Sequence, residues 1–235
     1  NSNNSTNILL AIVMKSTKLL RLLQFTTKEK RWSDVGFPVQ ISLLPICVVA
    51  CRNGQHVAGF DQTQLWYRCV VDKTLTTIPV QDICSIADGN TDMCCCVLTG
   101  HRNGDVKLWK SGNNKLIVSQ TLKMSGEIQH IRCDPVSGLV CAASSETVCI
   151  WDTLFCASRL CGDEKSERGK YALARREAVL KVQPKHIDWI HTSHNMTYLA
   201  VSNCNRLKLF ARRDQGIWKE ICTFDPTREL ATMHT

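Results

Sequence analysis

The sequence predicts an all-β fold assembled from repeated hairpins, and three observations carry that expectation. Helical periodicity is nearly absent along the chain. Five times, a short apolar stretch is followed by a polar turn and a second stretch in which apolar and polar residues alternate, the period-2 pattern of a half-buried strand. Two of these units end on tryptophans, Trp109 and Trp151, 42 residues apart.

Taken in order, the first unit runs over 8–13, turns at Ser16-Thr17 and returns over 19–25. The second covers 46–50 and 56–60 about a turn at Asn53-Gly54, and the third 94–99 and 105–109 about Asn103-Gly104. The fourth covers 139–143 and 147–151 about Ser145-Glu146, and the fifth 198–202 and 206–210 about Cys204-Asn205. Asn-Gly is the pair that a tight hairpin turn favours, because both central residues need a positive φ. Equivalent positions in the second arms are Leu22, Gly59, Trp109, Trp151 and Phe210, spaced by 37, 50, 42 and 59 residues. A four-stranded propeller blade repeats every 40–45 residues or so, and the Trp109–Trp151 spacing fits directly. The long last spacing contains a charged stretch over 162–182, and removing about 17 residues restores the period. An insertion over 156–185 is therefore expected, with a short helix over 171–180 on which Tyr171, Ala174 and Ala178 share a face.

Residues 97–109 and 140–152 resemble the WD40 repeat family: each reads as two inner strands closing on a tryptophan, the second as a literal Trp151-Asp152 pair. Asn103 and Gly104 with Trp109, and Trp151 with Asp152, are the markers of that resemblance. It implies a WD40-like β-propeller, here incomplete with about five blade-like units. It also implies a non-catalytic scaffold that presents loops to other proteins or peptides. Hosts of that kind include F-box-type ubiquitin-ligase adaptors and trafficking scaffolds. The match is partial, since Lys110 follows Trp109 and Ala211 follows Phe210. Gly100-His101 resembles the family's Gly-His pair but falls in the hairpin turn, so the family's structural histidine role is not carried over to His101.

Composition bounds the alternatives. The chain has 235 residues, 44% of them hydrophobic and 21% charged, enough to bury a core and unlike a disordered tail. No apolar run is long enough for a membrane-spanning helix. The start at Asn1 and the lack of a signal-peptide pattern suggest a piece of a longer protein, read here as one unit over 1–235. Fourteen cysteines, three of them consecutive at Cys94, Cys95 and Cys96, suit reduced thiols of the cytoplasm or nucleus better than a disulfide framework. The sequons at Asn4 and Asn195 then carry no meaning.

Chemistry-bearing patterns are sparse. Cys156 with Cys161, and His186 with His191 and His194, lack paired zinc-site spacing, so no metal is expected. No nucleophile elbow or phosphate loop is present, and no catalytic residue or cofactor is assigned. Trp32, Trp66, Trp189 and Trp218 read as packing rather than as a stacking platform for bases. The candidate partner-binding residues are Arg102 in the tight turn and Arg175 and Arg176 in the insertion, near Lys170, Lys181 and Lys185. Arginine favours interfaces because its planar fork pairs with carboxylates and phosphates. A second basic group, Arg206, Lys208, Arg212 and Arg213, is expected to be solvated. The net charge of +8 keeps a nucleic-acid-associated propeller as the alternative, which requires one contiguous basic face.

Overall fold

In the computed structural model, residues 7–225 are described apart from 15, 27, 36–37, 42–44, 51–55, 70–74, 90–96, 113–114, 135, 154–173, 193–195 and 214–215. Twenty strands form five four-stranded antiparallel sheets, with no α-helix among the described residues. The first sheet holds β1 (Asn7–Met14), β2 (Leu19–Thr26), β3 (Arg31–Asp34) and β4 (Val39–Gln40). β3 and β4 pair with successive halves of β2. The second holds β5 (Cys47–Ala50), β6 (His56–Phe60), β7 (Gln64–Cys69) and β8 (Leu75–Pro79). The third holds β9 (Ile83–Asp88), β10 (Val97–His101), β11 (Asp105–Gly112) and β12 (Lys115–Lys123). The fourth holds β13 (His130–Cys133), β14 (Leu139–Ala143), β15 (Thr147–Asp152) and β16 (Arg175–Lys181). The fifth holds β17 (His186–His191), β18 (Thr197–Ser202), β19 (Leu207–Arg212) and β20 (Trp218–Phe224).

Sheets two to five are simple meanders, each strand bonded to the next. Their first strands β5, β9, β13 and β17 approach one another in succession along the inside. This is a propeller-like arrangement, and the five sheets do not close into a ring among the described residues.

Side-chain alternation explains how the sheets stack. In β10, Val97 points back to the second sheet, beside Phe60, Leu65 and Trp109. Leu98 points forward to the fourth, with Leu108, Ile131 and Trp151. The fourth and fifth sheets meet through Ile150, Leu199 and Phe210, and the first and second through Leu20, Leu22 and Trp66. Each middle sheet therefore has both faces covered, which is why β10 and β14 are buried along their whole length. Outer strands such as β12 and β20 are largely exposed. Fully burying one large apolar side chain contributes about 1.5–3 kcal/mol, so these inter-sheet clusters dominate the cohesion of the stack.

Two expectations need correction. Residues 175–181 are not helical: they form β16, the outer strand of the fourth sheet, paired with β15 from Thr147↔Lys181 to Asp152↔Arg175. Helix-forming residue types yield here to an unfilled strand edge and to the inward packing of Ala178, Leu180 and Val182 against the fifth sheet. The inserted stretch thus lies between the third and fourth strands, and 154–173, including Cys156, Cys161, Lys170 and Tyr171, fall outside the described residues. The second repeat is also shifted by one strand. Its 47–50 and 56–60 arms are first and second strands, as the arms of the first unit are, whereas the third, fourth and fifth units are second and third. The residue of the second sheet in register with Trp109 and Trp151 is therefore Arg68, 41 positions before Trp109. Arg68 is 3% exposed, and burial pulls its pKa down. Gly59 is instead the spot over which Trp66 lies: a Cβ there would sit 2.2 Å from the Trp66 ring and 2.8 Å from the Cys47 carbonyl oxygen.

No described helix is long and apolar enough to cross a membrane, which says nothing about a β-barrel. Among the described cysteines, Cys141 and Cys149 are buried free thiols, and burial raises the pKa of both.

Candidate interaction face

The turns between second and third strands, and the connections from one sheet to the next, gather on one face of the stack. Side chains close the turns. Asp61 Oδ1 accepts hydrogen bonds from the backbone N–H of Thr63 (2.8 Å) and Gln64 (3.0 Å), and Asn203 Oδ1 from that of Arg206 (3.1 Å). Asn103 Oδ1 accepts the N–H of Asp105 at 3.0 Å, and Gly104 supplies the φ of 84°. A Cβ at Gly104 would also lie 2.3 Å from the Met124 carbonyl oxygen. Such turns hold their loops without help from a partner.

Beneath the third-sheet turn lies a buried relay. Trp109 Nε1 donates to Thr99 Oγ1 at 2.8 Å, and Thr99 Oγ1 is 2.9 Å from His101 Nε2. Indole is only a donor, so Thr99 Oγ1 accepts from Trp109, and the His101 tautomer decides whether the hydroxyl donates to Nε2 or accepts from it. Burial lowers the His101 pKa, against a hydrogen bond to the Gln81 backbone that raises it. His101, the last residue of β10 rather than a turn residue, thus has a structural role that the sequence did not announce.

Arg102 lies on top of this relay with its side chain 70% exposed. Its backbone N–H bonds to the Asp82 carbonyl oxygen at 2.9 Å. Its guanidinium sits 4.0 Å from Asp82 Oδ1 and 3.9 Å from Glu127 Oε1, on the connections before and after the third sheet. Cys84 donates its thiol to Glu127 at 3.1 Å, and burial together with that carboxylate pushes its pKa up to about 11. A raised pKa disfavours the thiolate that a cysteine nucleophile needs.

Further along the same face, an open cleft of about 560 Å³ lies between the fourth- and fifth-sheet loops. Gln129, Gln183, Pro184, Lys185, Asn205 and Arg206 line it. Backbone bonds fix its walls: Gln129 N–H to Ala143 O (2.8 Å), Lys185 N–H to Ser202 O (2.7 Å) and Asn203 N–H to Arg206 O (3.0 Å).

Arg175 and Arg176 do not join Arg102. They begin β16 beside Asp152 and Trp151, at the end of β15 away from its turn. The register shifts between Ile150 and Trp151, so Glu177 is an extra residue of β16. Arg176 lines a smaller cleft of about 300 Å³ with Lys123, Cys149 and Val179. The same shift occurs at Trp109 and at Phe210, so the marker position coincides with a bulge in three successive sheets.

The expected solvated basic group is largely engaged. Arg212 bridges Asp152 (3.3 Å) and Glu177, and Glu177 also accepts from Trp218 Nε1 at 3.1 Å. Lys208 pairs with Glu220 at 2.8 Å, and Arg206 Nε with Asp225 at 3.3 Å. The histidines also have local duties. His191 Nε2 lies 3.0 Å from the buried carboxylate of Asp134, and His186 packs on His130 at 5.5 Å between ring centroids. His194 lies outside the described residues. Trp66 and Trp218 are buried, Trp189 packs on Trp218 at 5.9 Å, and the half-exposed Trp32 packs on Phe25 at 5.3 Å. Sequence reasoning missed Asp82, Glu127 and Gln129, which flank strand ends without any motif of their own.

No family model matches the chain, and no curated protein matches it by sequence. Solved structures do resemble it. A functionally unknown protein from Desulfotomaculum acetoxidans superposes with a TM-score of 0.65 at 11% identity, over 94% of this chain and 69% of that one. A protein from Lactobacillus plantarum gives 0.61 at 12% identity, over 94% and 67%. The Cps50 (Swd1) β-propeller domain from Myceliophteria thermophila gives 0.57 at 9% identity, over 92% and 72%. At such identities the likeness defines a fold: the chain has a β-propeller-like architecture.

Proposed function

We propose that the chain is a non-catalytic scaffold of WD40 type that receives partner proteins on the face bearing Arg102 and the 560 Å³ cleft. That cleft is the observation that carries the reading: loops of successive sheets, locked by their own side chains and backbone bonds, border an open polar recess. A rigid scaffold carrying its variable chemistry on loops is suited to recognition. Trp109, Trp151 and Phe210 at one shared bulge position support the WD40 assignment. A role as the recognition part of an F-box-type adaptor or a trafficking scaffold, in the cytoplasm or nucleus, belongs to the same proposal. Arg175 and Arg176 would serve a second contact at the opposite end of the fourth sheet. The nucleic-acid alternative has less support, because Arg21, Arg102, Lys123, Arg206, Lys208 and Arg212 each lie beside a carboxylate and form no contiguous free basic face.

The test is affinity capture on the full chain, with and without nuclease, alongside Arg102→Glu. A nuclease-resistant set of proteins lost with Arg102→Glu is expected. Capture that disappears with nuclease, or that ignores Arg102, would overturn the reading.

A further inference from the structure

We propose that the cleft between the fourth- and fifth-sheet loops takes an acidic, extended segment of a partner protein, with its main chain met by amide side chains and a carboxylate met by Lys185. This rests on the scaffold reading and adds the chemistry of the partner. Lys185 and Arg206 are the charged members of the lining, which contains no carboxylate. Arg102, by contrast, lies outside this lining, with Asp82 and Glu127 at 4.0 and 3.9 Å. Arg206 is oriented through its Nε by Asp225, while its terminal nitrogens and the Lys185 ammonium make no hydrogen bond to a carboxylate among the described residues.

Amides complete the argument. The side chains of Gln129, Gln183 and Asn205 line the cleft and make no hydrogen bond among the described residues. Each offers two donors and an acceptor, the complement of the C=O and N–H groups of an extended peptide. The backbone of Gln129 is fixed by its bond to Ala143 and that of Asn205 by the Asn203–Arg206 turn, so little ordering of these two remains for binding to impose. Pro184 makes one wall rigid. A nucleic acid fits less well: two cations give few phosphate contacts, and no aromatic ring in the lining offers a base a stacking surface.

The experiment is selection of a displayed library of random peptides on the full chain, followed by affinity measurement on the winning peptides. Enrichment of Asp and Glu is expected, with Kd rising about tenfold in Lys185→Glu, the size of one charge-assisted hydrogen bond. Asn205→Ala should weaken binding less and leave the acidic preference intact. Selection on Lys185→Glu should no longer enrich acids. Enrichment of neutral or basic peptides, no enrichment at all, or a Kd indifferent to Lys185→Glu would overturn the proposal. So would an oligo(U) RNA that displaces the peptides and binds more tightly. Capture of a nuclease-resistant partner dependent on Arg102, without acidic selection, would leave the scaffold reading standing and remove only this one.

Discussion

Thr99 and Trp109 are joined across β10 and β11 by an indole N–H that donates to the threonine hydroxyl at 2.8 Å, while the same oxygen lies 2.9 Å from His101 Nε2. All three residues are buried, at 0%, 4% and 3% exposure, so no water replaces a lost partner. This relay fixes the Trp109 ring against the second sheet and the turn that carries Arg102 above it. It links the sheet-to-sheet core directly to the face proposed to bind.

Replacing Thr99 by Val keeps the shape and removes the hydroxyl. Two buried polar groups, Trp109 Nε1 and His101 Nε2, then lose their partner, at a cost of about 2–4 kcal/mol. Urea denaturation should show that loss for Thr99→Val and a much smaller one for Thr99→Ser. Equal stability of Thr99→Val and the parent would show that the relay is not structural.

Gly59→Ala should destabilise by about 2 kcal/mol or more, because the new methyl meets the Trp66 ring and the Cys47 carbonyl. Trp66→Phe in the same chain removes the obstructing ring atoms. The double variant should therefore fall less than the sum of the two single losses, and strict additivity would count against the packing described.

Stability should fall as pH drops below the ordinary imidazole value of 6.5. Burial lowers the pKa of His101, and burial with the neighbouring His186 and Arg132 charges lowers that of His130. Between 6.5 and the lowered folded values, the unfolded chain takes up protons that the folded chain refuses, so stability is full above that window and declines through it. Thermal melts across this range should show the decline, and His101→Gln with His130→Gln should flatten it.

Arg212→Met should cost about 2 kcal/mol, since Glu177, with its side chain 7% exposed, loses its cation and Asp152 loses a partner. Glu177→Gln keeps an acceptor for Trp218 Nε1 and should cost less. Denaturation of the two variants side by side checks the order.

The middle of the fold was readable because its signals are local: Asn103-Gly104 turns the chain, and Trp109 and Trp151 repeat at one blade's length. The second repeat slipped because Asn53-Gly54 is the stronger hairpin signal, whereas the turn that matches the others is closed by the Asp61 carboxylate and contains no glycine. β16 was read as a helix because its residue types favour one. Its fate is decided by the open edge of β15, which lies far away in sequence. Arg102 was readable as an exposed turn residue, but Asp82, Glu127 and Cys84 come to it from other connections. Lys185 was noticed for its charge and grouped with the insertion, because only the pairing of β17 with β18 brings it beside the Asn203–Arg206 turn.

Photo-crosslinking of the full chain in lysate tests the central claim most directly, with the crosslinker placed at Glu127 on the proposed face or at Val136, an exposed residue of a first-to-second-strand turn. The account predicts a discrete, nuclease-resistant protein adduct from position 127 and none of the same partner from position 136. Partner adducts from position 136 alone would contradict it.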